Sequence, residues 1–560
     1  MTHPPRIRTG AQILVDQLKI HGADTVFCVP GESYLAVLDA LYDANSIRTF
    51  TCRHESGATI MAEAFGKLTG KPAIAMVTRG PGATNASAGL HIAMQDSTPL
   101  ILLIGQVQRD AIEREAFQEL DYRRMMGQLA KWVAQIDDPA RIPEFLSRAY
   151  YVATSGRPGP VVLALPEDML REPVAVADAK PWQRVETYPG LSEIAEIAEA
   201  LKLAERPFLL LGGSQWDVAA VKAIERFAKS HALPVGVAFR RQDRFDNEHP
   251  CYAGDVGIGI NPKLAKRVKE ADLLMVIGAR LGEMTTGGYT LIDLPTPSQK
   301  LVHVHADPEE LGRVYQPWLA INATPRAVAH ALAALAPMEK PRWAQQTEVA
   351  RAEYEAWQKP PKSPGRIQMA EIVRWLDQHM PADTVYTNGA GNFATWLHRF
   401  HRYRGFGTQL APTSGSMGYG FPAALGAKVT RPDRPAVCFA GDGDFQMTGQ
   451  ELATAVQYGL DVMVLVINNG MLGTIRMHQE RHHPGRTIAT DLVNPDFAAL
   501  ARAYGAHGET VERTEDFAAA FERARASGKP AVIELKLDPE ALTPRQSLSE
   551  IRTEALAQKH

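Results

Sequence analysis

The chain has 560 residues, of which 45% are hydrophobic and 22% are charged, and its formal net charge is −3. A chain of this length and composition is expected to form several globular domains with sizeable cores. Because there is no basic excess, nucleic acid and anionic membrane surfaces are not expected as partners, and no apolar run is long enough to cross a bilayer. The sequence predicts a cytoplasmic protein that acts on small molecules.

The four cysteines, Cys28, Cys52, Cys251 and Cys438, are scattered through the chain. Their spacing does not match that of metal ligands, and most of them lie in or beside apolar, strand-like runs. We therefore predict buried free thiols.

Strand-like and helical stretches alternate over the first 170 residues, with apolar runs at 25–29, 49–52, 73–78 and 100–104. This alternation predicts a parallel sheet covered by helices. Arg53-His54-Glu55 follows the second run, and a glycine-rich loop with Gly80 and Gly82 follows the third. Carboxyl ends of parallel strands meet at one edge of the sheet, so we expect Glu55 and the loop at that edge.

Two proline-rich stretches, near 172–190 and 337–366, divide the chain into three such α/β units, and the second stretch contains a predicted helix at 342–358. We predict three doubly wound parallel-sheet domains, followed by a short tail. The predicted ranges are 1–172, 190–337, 364–545 and, for the tail, 546–560. The Gly212-Gly213 turn in the second unit follows a strand, but a single glycine turn is weak evidence for a dinucleotide site.

A second candidate site lies in the third unit, in two turns that each follow an apolar run. Gly441-Asp442-Gly443-Asp444 follows the run 435–440, and Asn468-Asn469 follows the run 462–467. In a strand-helix-strand unit, Asp442 and the asparagines converge at the carboxyl edge. Mg²⁺ commonly binds only a small number of protein oxygen atoms and completes its shell with water and ligand phosphates. The pattern therefore points to a phosphorylated cofactor.

The 27-residue separation of Asp442 and Asn469 resembles the thiamine diphosphate (ThDP) motif, in which G-D-G precedes N-N by about 25 to 30 residues. Other motifs resemble the acetolactate synthase (acetohydroxyacid synthase) large-subunit family, and together they cover nearly the whole chain. These motifs are Arg53-His54-Glu55, Thr78-Arg-Gly-Pro-Gly-Ala-Thr-Asn85, Gly105-Gln-Val107, Ala116-Phe-Gln-Glu119 and Ala153-Thr-Ser-Gly-Arg-Pro-Gly-Pro160.

The resemblance implies that the three domains are pyrimidine-binding, central and diphosphate-binding in chain order. It implies that Asp442, Asn469 and the Met471 carbonyl bind Mg²⁺, and that Glu55 hydrogen-bonds N1′ of the cofactor's pyrimidine. It places Gln118 near the substrate as a catalytic residue, with Lys131 and His478 in the substrate pocket. The remaining residues matched to cofactor contacts are Gly31, Thr78, Pro81, Asn85, Ala390, Gly391, Asn392, Phe393, Gly415, Ser416, Met417, Gly441, Gly443, Asp444, Leu472, Gly473 and Thr474.

Three departures from the family pattern concern the substrate and a flavin. His478 stands where biosynthetic enzymes carry a tryptophan that favours 2-oxobutyrate, and Asn392-Phe393 replaces a Gln-His pair, so the acceptor pocket is in question. Biosynthetic members also hold FAD in the central domain. Glu144-Phe145 and Met284 stand where arginines of that site are expected, which argues against bound FAD.

We therefore expect a ThDP- and Mg²⁺-dependent carboligase that decarboxylates pyruvate and joins the two-carbon product to a second carbonyl. The resemblance implies a homodimer or homotetramer with its sites at the subunit interface. One alternative is another ThDP reaction, namely 2-oxo acid decarboxylation, acyloin lysis or acetyl transfer. An alternative of another class is a non-catalytic cofactor-binding or regulatory protein. The sequence does not identify the donor, the acceptor, a regulatory subunit or the pathway.

Overall fold

The computed structural model describes residues 6–558 and contains three six-stranded parallel sheets. The chain forms two compact units. The first comprises Met1–Val185, Pro422–Pro432 and Thr448–Leu460, and the second comprises Glu186–Phe421, Asp433–Met447 and Asp461–His560. Each sheet lies within one of the predicted domain ranges, and the α/β fold class with three doubly wound sheets is confirmed.

The first sheet has the strand order β3-β2-β4-β5-β7-β6, and β1 pairs with β8 in a separate antiparallel ribbon. The strands are β1 Ile7–Thr9, β2 Thr25–Cys28, β3 Arg48–Thr51, β4 Ala73–Val77, β5 Leu100–Gln106, β6 Trp132–Gln135, β7 Pro160–Pro166 and β8 Pro173–Ala175. The helices are α1 Gly10–Ile20, α2 Leu35–Tyr42, α3 Glu55–Thr69, α4 Pro81–Asp96, α5 Tyr122–Met126, α6 Ile142–Thr154 and α7 Glu167–Arg171. Several central strands are buried along their whole length, as expected for a sheet covered on both faces.

The second sheet has the order β11-β10-β9-β12-β13-β14, which is the strand order of dinucleotide-binding folds. Its strands are β9 Pro207–Leu211, β10 Val235–Ala238, β11 Tyr252–Val256, β12 Leu273–Ile277, β13 Lys300–His305 and β14 Leu319–Asn322. The helices are α8 Leu191–Leu203, α9 Val218–Ser230, α10 Pro262–Lys269, α11 Pro325–Ala333 and α12 Ala344–Trp357.

The third sheet has the order β16-β15-β17-β18-β20-β19, which repeats the topology of the first. Its strands are β15 Val385–Asn388, β16 Gln409–Leu410, β17 Ala436–Gly441, β18 Met463–Asn468, β19 His507–Val511 and β20 Ala531–Lys536. The helices are α13 Met369–His379, α14 Ala394–Phe400, α15 Gly420–Thr430, α16 Asp442–Gln446, α17 Leu452–Gln457, α18 Gly473–His482, α19 Phe497–Ala503, α20 Thr514–Ala526 and α21 Leu548–Ala557.

The stretch predicted as a C-terminal tail contains helix α21, which is part of the packed domain. Its Leu548 and Ile551 join Met471, Met477 and Leu542 in one buried apolar cluster. The apolar spacing of Leu548 and Ile551 at i and i+3 is the sequence signal for this helix face.

The four cysteines are buried and free, which confirms that prediction. Between residues 6 and 558, no helix combines the length and the apolar character needed to cross a membrane.

Candidate active site

In the first and the third sheet, the predicted residues lie near one point at the carboxyl edge of the sheet. In both sheets the first strand lies between the second and the third. The connection that leaves the first strand and the connection that leaves the neighbouring third strand therefore run toward opposite edges of the sheet. Such a switch point opens a crevice, and ligands of open α/β sheets bind there. In the third sheet the switch point lies between β15 and β17, which end at Asn388 and Gly441.

Asp442 is held rigidly at the end of β17, where it begins α16. Its Oδ1 accepts from the Gly443 amide at 2.9 Å, and its Oδ2 accepts from the Gly470 amide at 2.9 Å and from Asn494 Nδ2 at 2.7 Å. Burial raises the pKa of Asp442, and these hydrogen bonds act in the opposite direction. The carboxylate is 3% exposed, so its orientation is set before any ligand binds.

The two asparagines at the end of β18 have separate roles. Asn468 is turned into the protein, since its Nδ2 donates to Glu534 at 2.6 Å and its Oδ1 accepts from Asn494 at 2.9 Å. Asn469 begins the turn beside Asp442, and its Oδ1 accepts from the Met471 amide at 3.3 Å. Because Asp442 binds the Gly470 amide, the carboxylate and the turn 469–471 lie together, as the spacing predicts.

Asn494 was missed by the sequence reasoning, although its amide contacts both Asp442 and Asn468. It lies outside every recognisable motif, so no local signal could have identified it.

The described residues contain no group of three or more His, Cys, Asp or Glu side chains that could hold a metal. A metal at Asp442 would therefore depend on one carboxylate together with amide and carbonyl oxygens, a donor set that suits Mg²⁺.

Asp444 joins the two glycine-containing loops that contain predicted cofactor contacts. Its Oδ1 accepts from the amides of Gly418 at 2.8 Å and Ala390 at 3.4 Å. Its Oδ2 is buried and has no hydrogen-bond partner within residues 6–558. Burial raises the pKa of Asp444 to about 7. The geometry shows that Asp444 holds the two loops in position, and its contact with the cofactor stays a prediction.

The other predicted residues of this domain pack around the same edge. Thr474 Oγ1 accepts from the Asn392 amide at 3.0 Å, which joins the start of α18 to the loop 389–393. A Cβ on Gly441 would lie 2.9 Å from the Phe393 ring, and one on Gly443 would lie 2.8 Å from Leu472. The glycines of G-D-G therefore permit close packing of these side chains against the backbone.

Replacing Gly389 by alanine is expected to destabilise this domain by about 1–3 kcal/mol, because the new methyl group would overlap Asp444 Oδ1. Denaturant unfolding of the purified variant measures this change. Gly405→Ala is the control, since the nearest atom to its added Cβ is 4.0 Å away, and it should change stability by less than about 0.5 kcal/mol. Equal effects of the two substitutions would contradict the assigned packing.

Glu55 lies in the first unit, where it begins α3 and is 9% exposed. Its Oε2 accepts from Asn85 Nδ2 at 3.0 Å, and its Oε1 would lie 3.1 Å from a Cβ on Gly82. Thr78, at the end of β4, bonds Ser33 through the two hydroxyl groups at 2.8 Å and leaves no room for a side chain on Gly31. The structure thus brings Gly31, Thr78, Glu55 and Asn85 together near the switch point of the first sheet.

Gln118 and Pro81 lie close to this group. Gln118 has a φ of 65°, and its Cβ would lie 2.7 Å from a Cβ on Gly80, which precedes Pro81 at the start of α4. A positive φ at a residue with a side chain is uncommon and occurs often at functional sites. The catalytic role of Gln118 stays a prediction.

Lys131 and His478, the two predicted substrate contacts, differ in their surroundings. The Lys131 ammonium donates to the carbonyls of Val152 and Ser155 at 2.6 Å each, at the C-terminus of α6. These hydrogen bonds cap the C-terminus of the helix, and the substrate contact of Lys131 stays a prediction. His478 is exposed on α18, where its ring stacks with His482 at 6.2 Å, and partial desolvation lowers its pKa. Its role stays a prediction.

Glu451, which sequence reasoning missed, anchors the turn that precedes Glu55. This fully buried carboxylate accepts from the amides of Arg53 at 3.1 Å and His54 at 2.9 Å, and from the Thr454 hydroxyl at 2.5 Å. Gly57 leaves space for it, because a Cβ there would overlap Glu451 Oε1. Glu451 comes from the segment between Asp442 and Asn469, so only the tertiary structure could show its contact with residues 53–57.

Glu451→Gln is expected to lower the free energy of unfolding by about 1–3 kcal/mol, because an amide NH₂ would face backbone donors in a buried place. Thermal and denaturant unfolding measure this loss. Gln457→Ala removes an exposed contact of the same segment, that to the Arg53 guanidinium, and is expected to change stability by less than about 0.5 kcal/mol. An unchanged stability of Glu451→Gln would show that the carboxylate does not anchor the turn.

Comparison with known families assigns the three domains to a class of enzyme. "Thiamine pyrophosphate enzyme, N-terminal TPP binding domain" matches residues 8–125, "Thiamine pyrophosphate enzyme, central domain" matches 194–332, and "Thiamine pyrophosphate enzyme, C-terminal TPP binding domain" matches 389–535. The chain is thus a ThDP-dependent enzyme by its three domains, which is the predicted class.

Curated relatives narrow the class further. The chain is 32% identical over 538 residues to the acetolactate synthase isozyme 2 large subunit of Escherichia coli K12, covering 94% of this chain and 95% of that one. It is 33% identical to the acetolactate synthase large subunit of Parasynechococcus marenigrum WH8102, covering 92% and 86%, and 31% identical to the acetolactate synthase of Arthrospira platensis, covering 94% of each. The chain belongs to the acetolactate synthase large-subunit family of ThDP enzymes, as its motifs indicate.

Proposed function

We propose that this chain is a ThDP- and Mg²⁺-dependent carboligase that decarboxylates pyruvate and joins the two-carbon product to a second carbonyl compound. The observation that carries the proposal is the arrangement at β17 and β18, where an oriented Asp442 lies beside the turn 469–471. One carboxylate with amide and carbonyl oxygens would suit Mg²⁺, which completes its shell with water and ligand phosphates. The membership of the chain in the acetolactate synthase family supports the reaction type.

The chain's own residues fit the cofactor in two places. In the third domain, Asp442, Asn469 and the Met471 carbonyl would hold the metal, and the glycine-containing loops 389–393 and 414–418 would admit the diphosphate and thiazolium. Asp444 Oδ2 lies at the same edge. This buried oxygen has no hydrogen-bond partner in the described chain and could accept a hydrogen bond from a ligand. In the first domain, Glu55 and the residues around Thr78 would receive the pyrimidine.

When bound, ThDP supplies a carbanion at C2 of its thiazolium ring and accepts the electrons released by decarboxylation. Glu55 would hold a proton at the pyrimidine N1′, because a buried carboxyl group can share a proton with a ring nitrogen. Asn85 would keep the Glu55 carboxyl group oriented through its 3.0 Å hydrogen bond. The anchoring of residues 53–54 by Glu451 limits the movement of Glu55 along the chain.

The test is incubation of purified protein with ThDP, Mg²⁺ and pyruvate, with CO₂ release followed and the product identified by mass. Acetolactate supports the proposal. Acetaldehyde with CO₂ would assign the chain to the decarboxylases, and no turnover of pyruvate would direct the search to acyloins, acetyl transfer or other 2-oxo acids. The family membership is that of an enzyme, so the non-catalytic alternative is not retained.

FAD is not part of the proposal, because backbone packing alone accounts for the glycines at the switch point of the central sheet. Gly213 and Gly278 follow β9 and β12 at the switch point, and a Cβ on Gly278 would lie 2.5 Å from the Gly212 carbonyl oxygen. Direct backbone packing therefore accounts for these glycines.

We retain the expectation of a cytoplasmic homodimer or homotetramer with sites at the subunit interface. Measuring the size of the particle with and without ThDP would test the oligomeric state.

A further inference from the structure

A buried carboxylate on β20 is connected to the proposed metal site by side-chain hydrogen bonds. The side chain of Glu534 is 1% exposed and forms an ion pair with Lys536, whose ammonium donates to Oε1 at 2.6 Å. The Thr510 hydroxyl donates to Oε2 at 3.1 Å, and Asn468 Nδ2 donates to Oε1 at 2.6 Å. A carboxylate is costly to bury unless it is paired and hydrogen-bonded, so Glu534 holds these donors toward itself.

Glu534 determines the direction of the Asn468 amide. A carboxylate in an ion pair only accepts hydrogen bonds, whereas an asparagine amide has a donating end and an accepting end. The NH₂ group of Asn468 must therefore face Glu534, and its Oδ1 must point away from it. That oxygen accepts from Asn494 Nδ2 at 2.9 Å and from the Gly470 amide at 3.1 Å. A reversed Asn468 would bring its oxygen against Glu534 and its NH₂ group against both of these donors.

The direction of Asn468 in turn determines that of Asn494. The Nδ2 of Asn494 donates to Asn468 Oδ1 at 2.9 Å and to Asp442 Oδ2 at 2.7 Å, and its Oδ1 accepts from Gln446 Nε2 at 2.9 Å. If the Asn494 amide were reversed, its oxygen would face the oxygens of Asn468 and Asp442. Because Asn468 presents an oxygen, the NH₂ group of Asn494 is held against Asp442.

These contacts decide which oxygen of Asp442 is available to a metal. Oδ2 accepts from Asn494 and from the Gly470 amide, whereas among the described residues Oδ1 accepts from the Gly443 amide alone. Each carboxylate oxygen has about two lone pairs, so Oδ2 is fully used and Oδ1 can take one further partner. Groups that orient a metal-binding carboxylate commonly change the metal affinity by about 10- to 100-fold when they are replaced.

We propose that Glu534 is a positioning residue for the Mg²⁺ site, and that it acts through Asn468 and Asn494. Glu534 fixes the direction of the two amides, Asn494 occupies Asp442 Oδ2, and Asp442 Oδ1 is left to bind the metal. This inference rests on the proposed function, which places Mg²⁺ at Asp442. It extends the site to β20 and to a residue that belongs to none of the recognised motifs.

The test compares two substitutions of Glu534 by their affinity for Mg²⁺, measured by calorimetry with saturating ThDP. Glu534→Met has a similar length but no strong acceptor, so both amides are free to reverse, and Mg²⁺ is expected to bind about 10- to 100-fold more weakly. Glu534→Gln keeps an acceptor for Asn468, and its NH₂ group can donate to the Thr510 hydroxyl. It should therefore stay within about 3-fold of the wild type.

A double-mutant cycle tests whether Glu534 acts through Asn468. Asn468→Ala alone is expected to weaken Mg²⁺ binding by about 10-fold or more. Since the two residues act in one chain, adding Glu534→Met to Asn468→Ala should weaken binding by less than about a further 3-fold. The proposal is overturned if the two losses multiply, if Glu534→Met binds Mg²⁺ as the wild type does, or if Glu534→Gln is as weak as Glu534→Met.

Asn494→Ala serves if Glu534→Met does not fold, because Asn494 is partly exposed. It is expected to weaken Mg²⁺ binding by about 10-fold, and an unchanged affinity would contradict the proposal. Gln446→Ala is the matched control. It removes an exposed contact on the other side of Asn494 and should change the affinity by less than about 3-fold.

This experiment is separate from the test of the proposed reaction, because calorimetry requires no turnover. If the wild type binds Mg²⁺ and ThDP but forms no acetolactate, the carboligase function fails, and the comparison of the variants still decides about Glu534. If Mg²⁺ does not bind to the wild type in the presence of ThDP, the positioning role of Glu534 is overturned together with the metal site.

Discussion

Glu55→Gln is expected to lower the rate of CO₂ release from pyruvate by about 100- to 10,000-fold, the range attributed to a positioned acid-base group. Glutamine has nearly the same shape and can still accept from Asn85, which donates to Glu55 at 3.0 Å. It cannot exchange a proton with the cofactor's pyrimidine. Binding of ThDP and Mg²⁺, measured by calorimetry, should therefore change by less than about 10-fold.

The control for this prediction is Glu32→Gln, an exposed glutamate of the same domain, which should retain full turnover. Full turnover in Glu55→Gln would show that the assigned proton transfer is wrong. A loss of activity together with a loss of cofactor binding would mean that Glu55 has a role in binding instead.

Asp442→Asn is expected to weaken Mg²⁺-dependent binding of ThDP by about 100-fold or more, because it removes the single carboxylate of the proposed metal site. In Asp442 both carboxylate oxygens accept hydrogen bonds, Oδ1 from Gly443 and Oδ2 from Gly470 and Asn494. An asparagine would place an NH₂ group at one of these two positions, where it cannot accept. Titration of Mg²⁺ at a fixed ThDP concentration, followed by calorimetry, measures the change.

Asp433→Asn replaces an exposed aspartate at the other end of β17 and is the matched control. It should leave the Mg²⁺ titration unchanged. An unaltered titration in Asp442→Asn would remove the basis for placing the metal at G-D-G.

The α/β class and the positions of the candidate residues at strand ends could be predicted because they depend on local patterns. Continuous apolar runs indicate buried parallel strands, and the carboxyl ends of such strands necessarily lie at one edge. Glu55 and Asp442 each follow a strand directly, so their positions at the ends of β3 and β17 follow from the order of elements. Their exact hydrogen bonds do not follow from that order.

Residues brought in from distant segments could not be predicted. Asn494 contacts Asp442 across 52 residues, and Glu451 contacts Arg53 across 398. The hydrogen bonds of Lys131 to the carbonyls at the end of α6 could not be predicted either. In each of these cases the decisive contact is made by a side chain whose neighbours depend on how whole elements pack.

The sequence alone determined the class of fold, the ThDP motif and the residue types of the proposed metal site, because these depend on spacing along one strand-helix-strand unit. Only the tertiary structure decided how those residues are oriented and supported. It separated Asn468 from Asn469, placed Asn494 on Asp442 and set Glu451 under the turn before Glu55. Hydrogen bonds to buried carboxylates come from whichever donors the packed chain presents, and that arrangement is fixed by long-range packing of the whole domain.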